Sequence, residues 1–308
     1  MTVRHTRIIR LAAAALVTVN IAGAGAVLGI RAQDDPTPLA VEAAIERYRT
    51  ATTSAATPAP ADLPDPTEIR DPVEIPGANP PPAAASTPTP TGHPNPMLET
   101  AAPSRSLIEP GVYIYDTTGY EEVDALGGAR HDYPAETTIT YEPAECGMTE
   151  RWAPLTQRAD TRLLCPSPEG DVLHWFHTAR EFFGQHVGFT FRCPDGPVVR
   201  PTEPSPGHHA TSTCSADNGD ETTITVTTHD PAPVTIDGTT IQATRIELQS
   251  EASGQGHARS TIEMLLHPNT GLVLARTVAT DAEGKSPAGP TRYTERYAIQ
   301  LRSLEPAS

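Results

Sequence analysis

The stretch Arg292–Leu304 constrains the fold most tightly. Tyr293, Tyr297, Ile299 and Leu301 alternate there with Thr294, Arg296, Ala298, Gln300 and Arg302. A period of two puts one set of side chains on a buried face and the other in water, as in an antiparallel strand with one wet side. Shorter runs of the same kind precede it: Gly111–Thr117, Thr137–Tyr141, Arg151–Gln157, Thr161–Leu164, Val172–His177, Thr222–Thr228, Ile241–Ser250, Arg259–Leu266 and Leu272–Thr280. Phe182–Arg192 is interrupted by Gly184 and Gly188 and reads as a bulged strand or a hairpin. The segment between Cys193 and Thr222 is polar and proline-rich and predicts a loop. About ten strands in a meander predict a mainly β domain over residues 106–307, a curved antiparallel sheet or half-barrel.

Ahead of that domain the chain changes character twice. Leu11–Ile30 carries no charge and is flanked by Arg4, Arg7, Arg10 and Arg31. As a helix it would span about 30 Å, the thickness of a hydrocarbon core. It predicts a transmembrane helix or uncleaved signal anchor, with residues 1–10 as a short cytoplasmic tail and the rest extracytoplasmic at the cell membrane. Cleavage near Gly25-Ala26 is the alternative, but the apolar run exceeds the usual ~7–15 residues of a signal peptide. Residues 31–50 predict a short juxtamembrane helix, since Leu39, Val41, Ala44, Ile45 and Tyr48 recur at helical spacing. Residues 51–103 hold 14 prolines and predict a disordered Pro/Ala/Thr-rich linker.

Charge and cysteine usage narrow the class further. The net charge is -16, and residues 1–31 contribute four arginines and no acid, so the remainder stands near -20. An acidic body lacks the basic face that nucleic acid requires. Cys146, Cys165, Cys193 and Cys214 contain no C-x-x-C pair, which argues against a zinc ribbon or a dithiol redox motif. An even number outside the cytoplasm predicts two disulfides, and nearest-neighbour pairing is the simplest of three connectivities.

No catalytic, cofactor or metal residue is assigned from the sequence. His174 and His177 lie three apart on a strand and so on opposite faces, while His208-His209 would need a third ligand from elsewhere. There is no G-x-S-x-G elbow, no H-E-x-x-H helix and no phosphate-binding glycine loop. Glu121-Glu122 reads as a pair of neighbours in a turn, and Asp217–Glu221 as an acidic turn before a strand. Tyr113, Tyr115, Trp152, Trp175, Phe176, Phe182, Phe183, Phe189 and Phe191 gather in the first half of the domain. They fit either a filled core or the wall of an apolar groove.

Two segments carry a resemblance. Gly111–Glu121 resembles the opening strand and turn of actinobacterial single-pass envelope proteins of uncharacterised function. His267–Leu272 followed by Val273–Arg276 resembles the hairpin of half-barrel lipid carriers of the LolA/LppX kind. The chain departs from the LppX-like lipoproteins in lacking a lipobox cysteine. The resemblance implies a curved antiparallel sheet and an apolar ligand, and it transfers no catalytic residue. The expected function is a non-enzymatic, membrane-anchored binding module for a lipid-like ligand or an envelope partner. The alternatives are a cell-envelope hydrolase whose site converges only in three dimensions, around one of His131, His174, His177 or His186, and a structural accessory subunit of a membrane complex.

Overall fold

The structure is a computed structural model that describes residues 35–56, 108–254, 256–286 and 289–308. Helix α1 spans Val41–Ala56, and fourteen strands follow. These are β1 (Gly111–Val123), β2 (Ala129–Asp132), β3 (Glu136–Pro143), β4 (Met148–Leu155), β5 (Arg158–Ser167), β6 (Gly170–Phe182) and β7 (Gln185–Arg192). Then come β8 (Val198–Pro201), β9 (His209–Ala216), β10 (Glu221–Ile236), β11 (Thr239–Ser253), β12 (His257–Leu266), β13 (Val273–Ser286) and β14 (Gly289–Leu301). The domain is mainly β and antiparallel. The expected transmembrane helix at 11–30, the cytoplasmic tail at 1–10 and most of the 51–103 linker lie outside the described residues. Among the described residues no helix is long and apolar enough to cross a membrane.

The sheet is a closed barrel of twelve strands rather than a half-barrel, because β1 pairs with β14 from Tyr115↔Leu301 to Val123↔Tyr293. Alternation reports which face of a strand is buried, and closure depends on whether the two edges meet. Here β1 is long enough to hold three partners. Its first half pairs with β3 (Gly111↔Tyr141 to Asp116↔Glu136), its second half with β2, and its opposite edge with β14. Gly119 makes the close approach possible: its φ is +137°, and a Cβ there would lie 2.3 Å from the Arg296 carbonyl oxygen. The chain end continues along β1, with Ala307 N–H donating to the Val112 carbonyl at 2.8 Å.

Two further expectations change, and the choice left open at Phe182–Arg192 resolves to the hairpin. The segment expected to be a loop between Cys193 and Thr222 contains β8, which pairs with β6, and β9, which pairs with β10 over Glu221↔Ser215 to Thr227↔His209. Threonines and serines alternate along β9, and their short side chains suit a pleated edge although the sequence is polar. Phe182–Arg192 is a hairpin: Phe183 and Gly184 form its two-residue turn with φ of 54° and 69°, the mirror-image geometry that matches strand twist. Finally, α1 runs to Ala56, so the first residues of the expected linker are helical. Thr50 and Thr52 hydroxyls donate to the Glu46 and Tyr48 carbonyls at 2.9 and 3.0 Å. The segment before α1 is tied to the barrel by Leu39 N–H donating to the Pro154 carbonyl at 3.1 Å.

The disulfides are Cys146–Cys165 and Cys193–Cys214, with Cα–Cα distances of 5.2 and 4.3 Å. The second sits where the barrel wall is thinnest. β7 and β9 share only the pairs Phe191↔Ala216 and Arg192↔Ser215, and Cys193–Cys214 is the next cross-strand position. A covalent link there replaces the ladder that the short contact lacks. Replacing both Cys193 and Cys214 by Ala should cost about 3 kcal/mol of unfolding free energy for a loop of this length. Amide exchange should accelerate in β7 and β9 before β11–β13, and a uniform rise across the barrel would contradict this account of the seam.

Candidate functional site: a lumen half filled with charge

Inward-facing residues decide what the barrel can hold. At one end the lumen is solid. Tyr113 meets Tyr141 edge-on at 5.6 Å, Trp152 stacks on Tyr297 at 4.2 Å, and Ile139, Leu164, Ile246, Leu266 and Leu274 are buried among them. Toward the other end the inward positions of β10–β13 shrink. Leu248 is followed by Ser250 and Ala252, Ile262 is preceded by Ser260 and Ala258, and Val278 is followed by Thr280 and Ala282. These small residues face one another across the ladders, as in Ala252↔Ala258↔Ala282. The wall they form cannot reach the axis, and a cavity of about 460 Å³ remains. This lies in the ordinary size range of ligand pockets.

The opposite wall is aromatic. Phe176, Phe182, Phe189 and Phe191 from β6 and β7 line the cavity, with Phe176 stacked on Phe191 at 5.0 Å. The aromatic inventory is thus divided between both expected roles. Tyr113, Tyr115 and Trp152 fill the solid end, and the phenylalanines of the β6–β7 hairpin form a cavity wall. Leu126 and Phe183, two of the three described non-glycine residues with positive φ, both lie at the mouth. Bulky side chains rarely adopt that conformation, and strained backbone of this kind gathers at binding sites.

Across from the small-residue wall, the lumen is crossed by ionised groups. Arg158, on β5, donates both terminal nitrogens to Asp160 at 2.7 and 2.8 Å, and its Nε and Nη2 reach Glu295 Oε1 on β14 at 3.1 and 3.0 Å. Tyr133 donates to the same Glu295 oxygen at 2.6 Å. Arg180 Nε donates to the Tyr293 hydroxyl at 2.7 Å, and that hydroxyl donates to Glu121 Oε2 at 3.0 Å. Deeper in the barrel, Glu150 accepts from Arg276 through one oxygen and from Arg200 through the other, and the Tyr141 hydroxyl also reaches it at 3.3 Å. Burial alone would push the Glu150 carboxyl up, but Arg276 and Arg200 pull it down to about 2. Burial likewise opposes ionisation of Asp160, and Arg158 outweighs it, holding that carboxyl well below the usual carboxylate range. Burial pushes the Tyr293 hydroxyl well above its ordinary range.

None of these charges was assigned from the sequence. Glu121 and Glu122 are not turn neighbours: both lie in β1, where Glu121 points into the barrel with no exposure and Glu122 points out toward Arg130 at 3.5 Å. The available signal was an ionisable residue at an inward position of an alternating strand, as at Glu121, Arg158, Arg276 and Glu295. The histidines separate. His131 Nδ1 lies 3.1 Å from Glu121 Oε1 and its ring stacks on Phe182 at 4.4 Å, which places the pair behind that phenylalanine and outside the cavity lining. His177 Nδ1 is 2.8 Å from the Thr190 hydroxyl, and His186 Nδ1 is 2.8 Å from Glu181 near the exposed hairpin tip. His174 lies beside Cys146 and Cys165, whose sulfurs are joined to each other and so are not thiolate ligands. His177 and His257 line the cavity, as do Asp160, Asp220, Glu283 and Glu295, and His257 stands opposite Glu283 in the β12–β13 register.

No protein-family model and no curated protein matches the chain. Among solved structures it is similar to the hypothetical lipoprotein YmcC from Escherichia coli. Identity is 13% and the TM-score 0.29, with 62% of this chain and 85% of that one covered.

Glu150→Gln should leave Arg200 and Arg276 buried against a neutral amide and cost about 3–5 kcal/mol at neutral pH. A depressed carboxyl contributes stability above its unfolded-state value near 4.5, and that stability is lost as pH falls toward about 2. Glu150 should account for about 3 kcal/mol of the loss across that interval. Denaturant titrations of both proteins from pH 7 to 2 check this. Equal acid sensitivity of wild type and variant would contradict it.

Proposed function

We propose that the protein is a non-enzymatic binding module that holds a lipid-like amphiphile inside its barrel. The supporting observation is the cavity itself: an open-ended, predominantly apolar space of about 460 Å³ in a barrel whose other half is packed solid. A core built only for stability fills such a space, because empty apolar volume costs free energy in proportion to its size. Here Ser, Ala and Thr recur at the inward ends of four consecutive strands, so the void is written into the sequence at many positions. Arg158, Asp160 and Glu295 beside it are committed to one another.

On this reading the remainder of the chain serves delivery. Leu11–Ile30 anchors the protein in the membrane with residues 1–10 inside, and the proline-rich 51–103 linker holds the barrel at a distance from the bilayer. The two disulfides then belong to an oxidising, extracytoplasmic compartment.

Lipid mass spectrometry on the full chain purified from its own membrane tests the proposal, with Ala258→Trp as the cavity-filling partner. The expected result is one lipid class enriched over the bulk membrane extract in the wild type and lost from the variant. Identical lipid profiles for the two proteins and the bulk extract would overturn it.

A further inference from the structure

Among the described residues, Arg162 is the one cavity-lining arginine without a hydrogen bond or an ion pair. Among the described residues, Arg180 has Tyr293 and Arg158 has Asp160 and Glu295, whereas Arg162 has no hydrogen-bond or ion-pair partner. It is also the deepest cavity-lining residue of β5. In register it lies opposite Phe176 on β6 and Glu150 on β4, at the level where the cavity meets the solid end. The two carboxylates nearest to it along the ladders are already taken. Both Glu150 oxygens are held by Arg276 and Arg200, and both Asp160 oxygens by Arg158. Burial first, and then the positive potential of Arg276 from below, disfavours the Arg162 cation relative to a guanidinium in water, against the smaller opposing effect of Glu150 and Asp160.

A guanidinium in an apolar lumen without an anion is costly, since transfer of an unpaired charge from water is opposed until a counter-charge is supplied. The planar fork of arginine matches a carboxylate or phosphate group through two parallel N–H donors. From Tyr297 at the floor to Thr291 at the mouth the lining follows six residue steps of β14, roughly 20 Å of strand, past phenylalanine, valine and isoleucine side chains.

Taking the lipid-binding reading as its premise, we propose that Arg162 is the recognition site for a single acidic headgroup, a carboxylate or a phosphate monoester. The amphiphile is bound headgroup-down, with its alkyl chain lying along the aromatic wall toward Leu126 and Phe183. The acidic exterior of the protein does not oppose this arrangement locally. At the mouth Glu283 is engaged by Arg292 at 2.9 Å and Asp220 by Asn218 at 2.7 Å, so the apolar tail and not the headgroup rests among those side chains.

The test uses the full chain, held in amphipol and stripped of lipid, with cis-parinaric acid and its methyl ester as fluorescent probes. The acid should bind about tenfold or more tightly than the ester, the ratio expected of a charge-assisted hydrogen-bonded pair. Arg162→Met should reduce acid affinity to that of the ester and leave ester binding unchanged, while Arg162→Lys should restore part of the difference. Arg162→Met should also melt no lower than wild type, because it removes a half-buried charge that has no hydrogen bond or ion pair. Competition by hexadecanoic acid and by hexadecyl phosphate identifies which acidic headgroup is preferred, and either one should exceed hexadecanol. Equal binding of acid and ester by the wild type, or an unchanged ratio in Arg162→Met, overturns the Arg162 assignment while lipid binding stands. Binding of neither probe overturns both readings.

Discussion

The Arg158 guanidinium reaches across the barrel, and the interior follows from that reach. It starts on β5 and ends at Glu295 on β14, strands separated around the wall by β4, β3 and β1. β3 and β4 are short at this end, so the flanking walls approach and their ionised side chains meet in the space between. Each charge taken from water costs several kcal/mol, which only good geometry and complete partnering offset. The bidentate Asp160 contact, the shared Glu295 oxygen and the Tyr133 and Tyr293 hydroxyls supply that partnering. Half of the lumen is thereby committed to a polar strut, and whatever volume the barrel retains must lie on the other side, against β10–β13.

That side is shaped by subtraction. The inward residues of β10–β13 begin as large aliphatics at the solid end and finish as alanine, serine and threonine at the mouth. The ladder spacing is constant, so the side chains alone set how far each wall extends toward the axis. Size grading along four neighbouring strands therefore creates a tapering space, and the phenylalanines of β6 and β7 face it because the hairpin turn at Phe183-Gly184 fixes their register.

Much of the architecture could be read from the chain before any coordinates, and the parts that could not have physical reasons. Period-two alternation located β1, β3, β6 and β10–β14, and the even, clustered cysteines pointed to two disulfides. Barrel closure was hidden, because an alternating strand looks the same whether its free edge meets solvent or β14. β9 was hidden because its Thr and Ser positions satisfy pleat geometry without hydrophobic contrast. The charged strut was hidden because Glu121, Arg158 and Glu295 look like solvent-facing residues until their parity along the strand is compared with that of Tyr115, Tyr293 and Tyr297. The cavity itself was legible in principle, in the inward Ser250, Ala252, Ala258 and Ser260, once inward positions are compared along each strand as well as across it.

The proposed ligand, with an apolar body and a charged terminus, matches a barrel that has one packed end, one open end and Arg162 at the junction. The most direct test is a crystal structure of the protein with a terminally brominated long-chain fatty acid, located by the anomalous signal of bromine. The account predicts bromine density near the mouth, beside Leu126 and Phe183, with the carboxylate at Arg162. Bromine at the floor, or a cavity occupied only by water after saturating exposure, would contradict it.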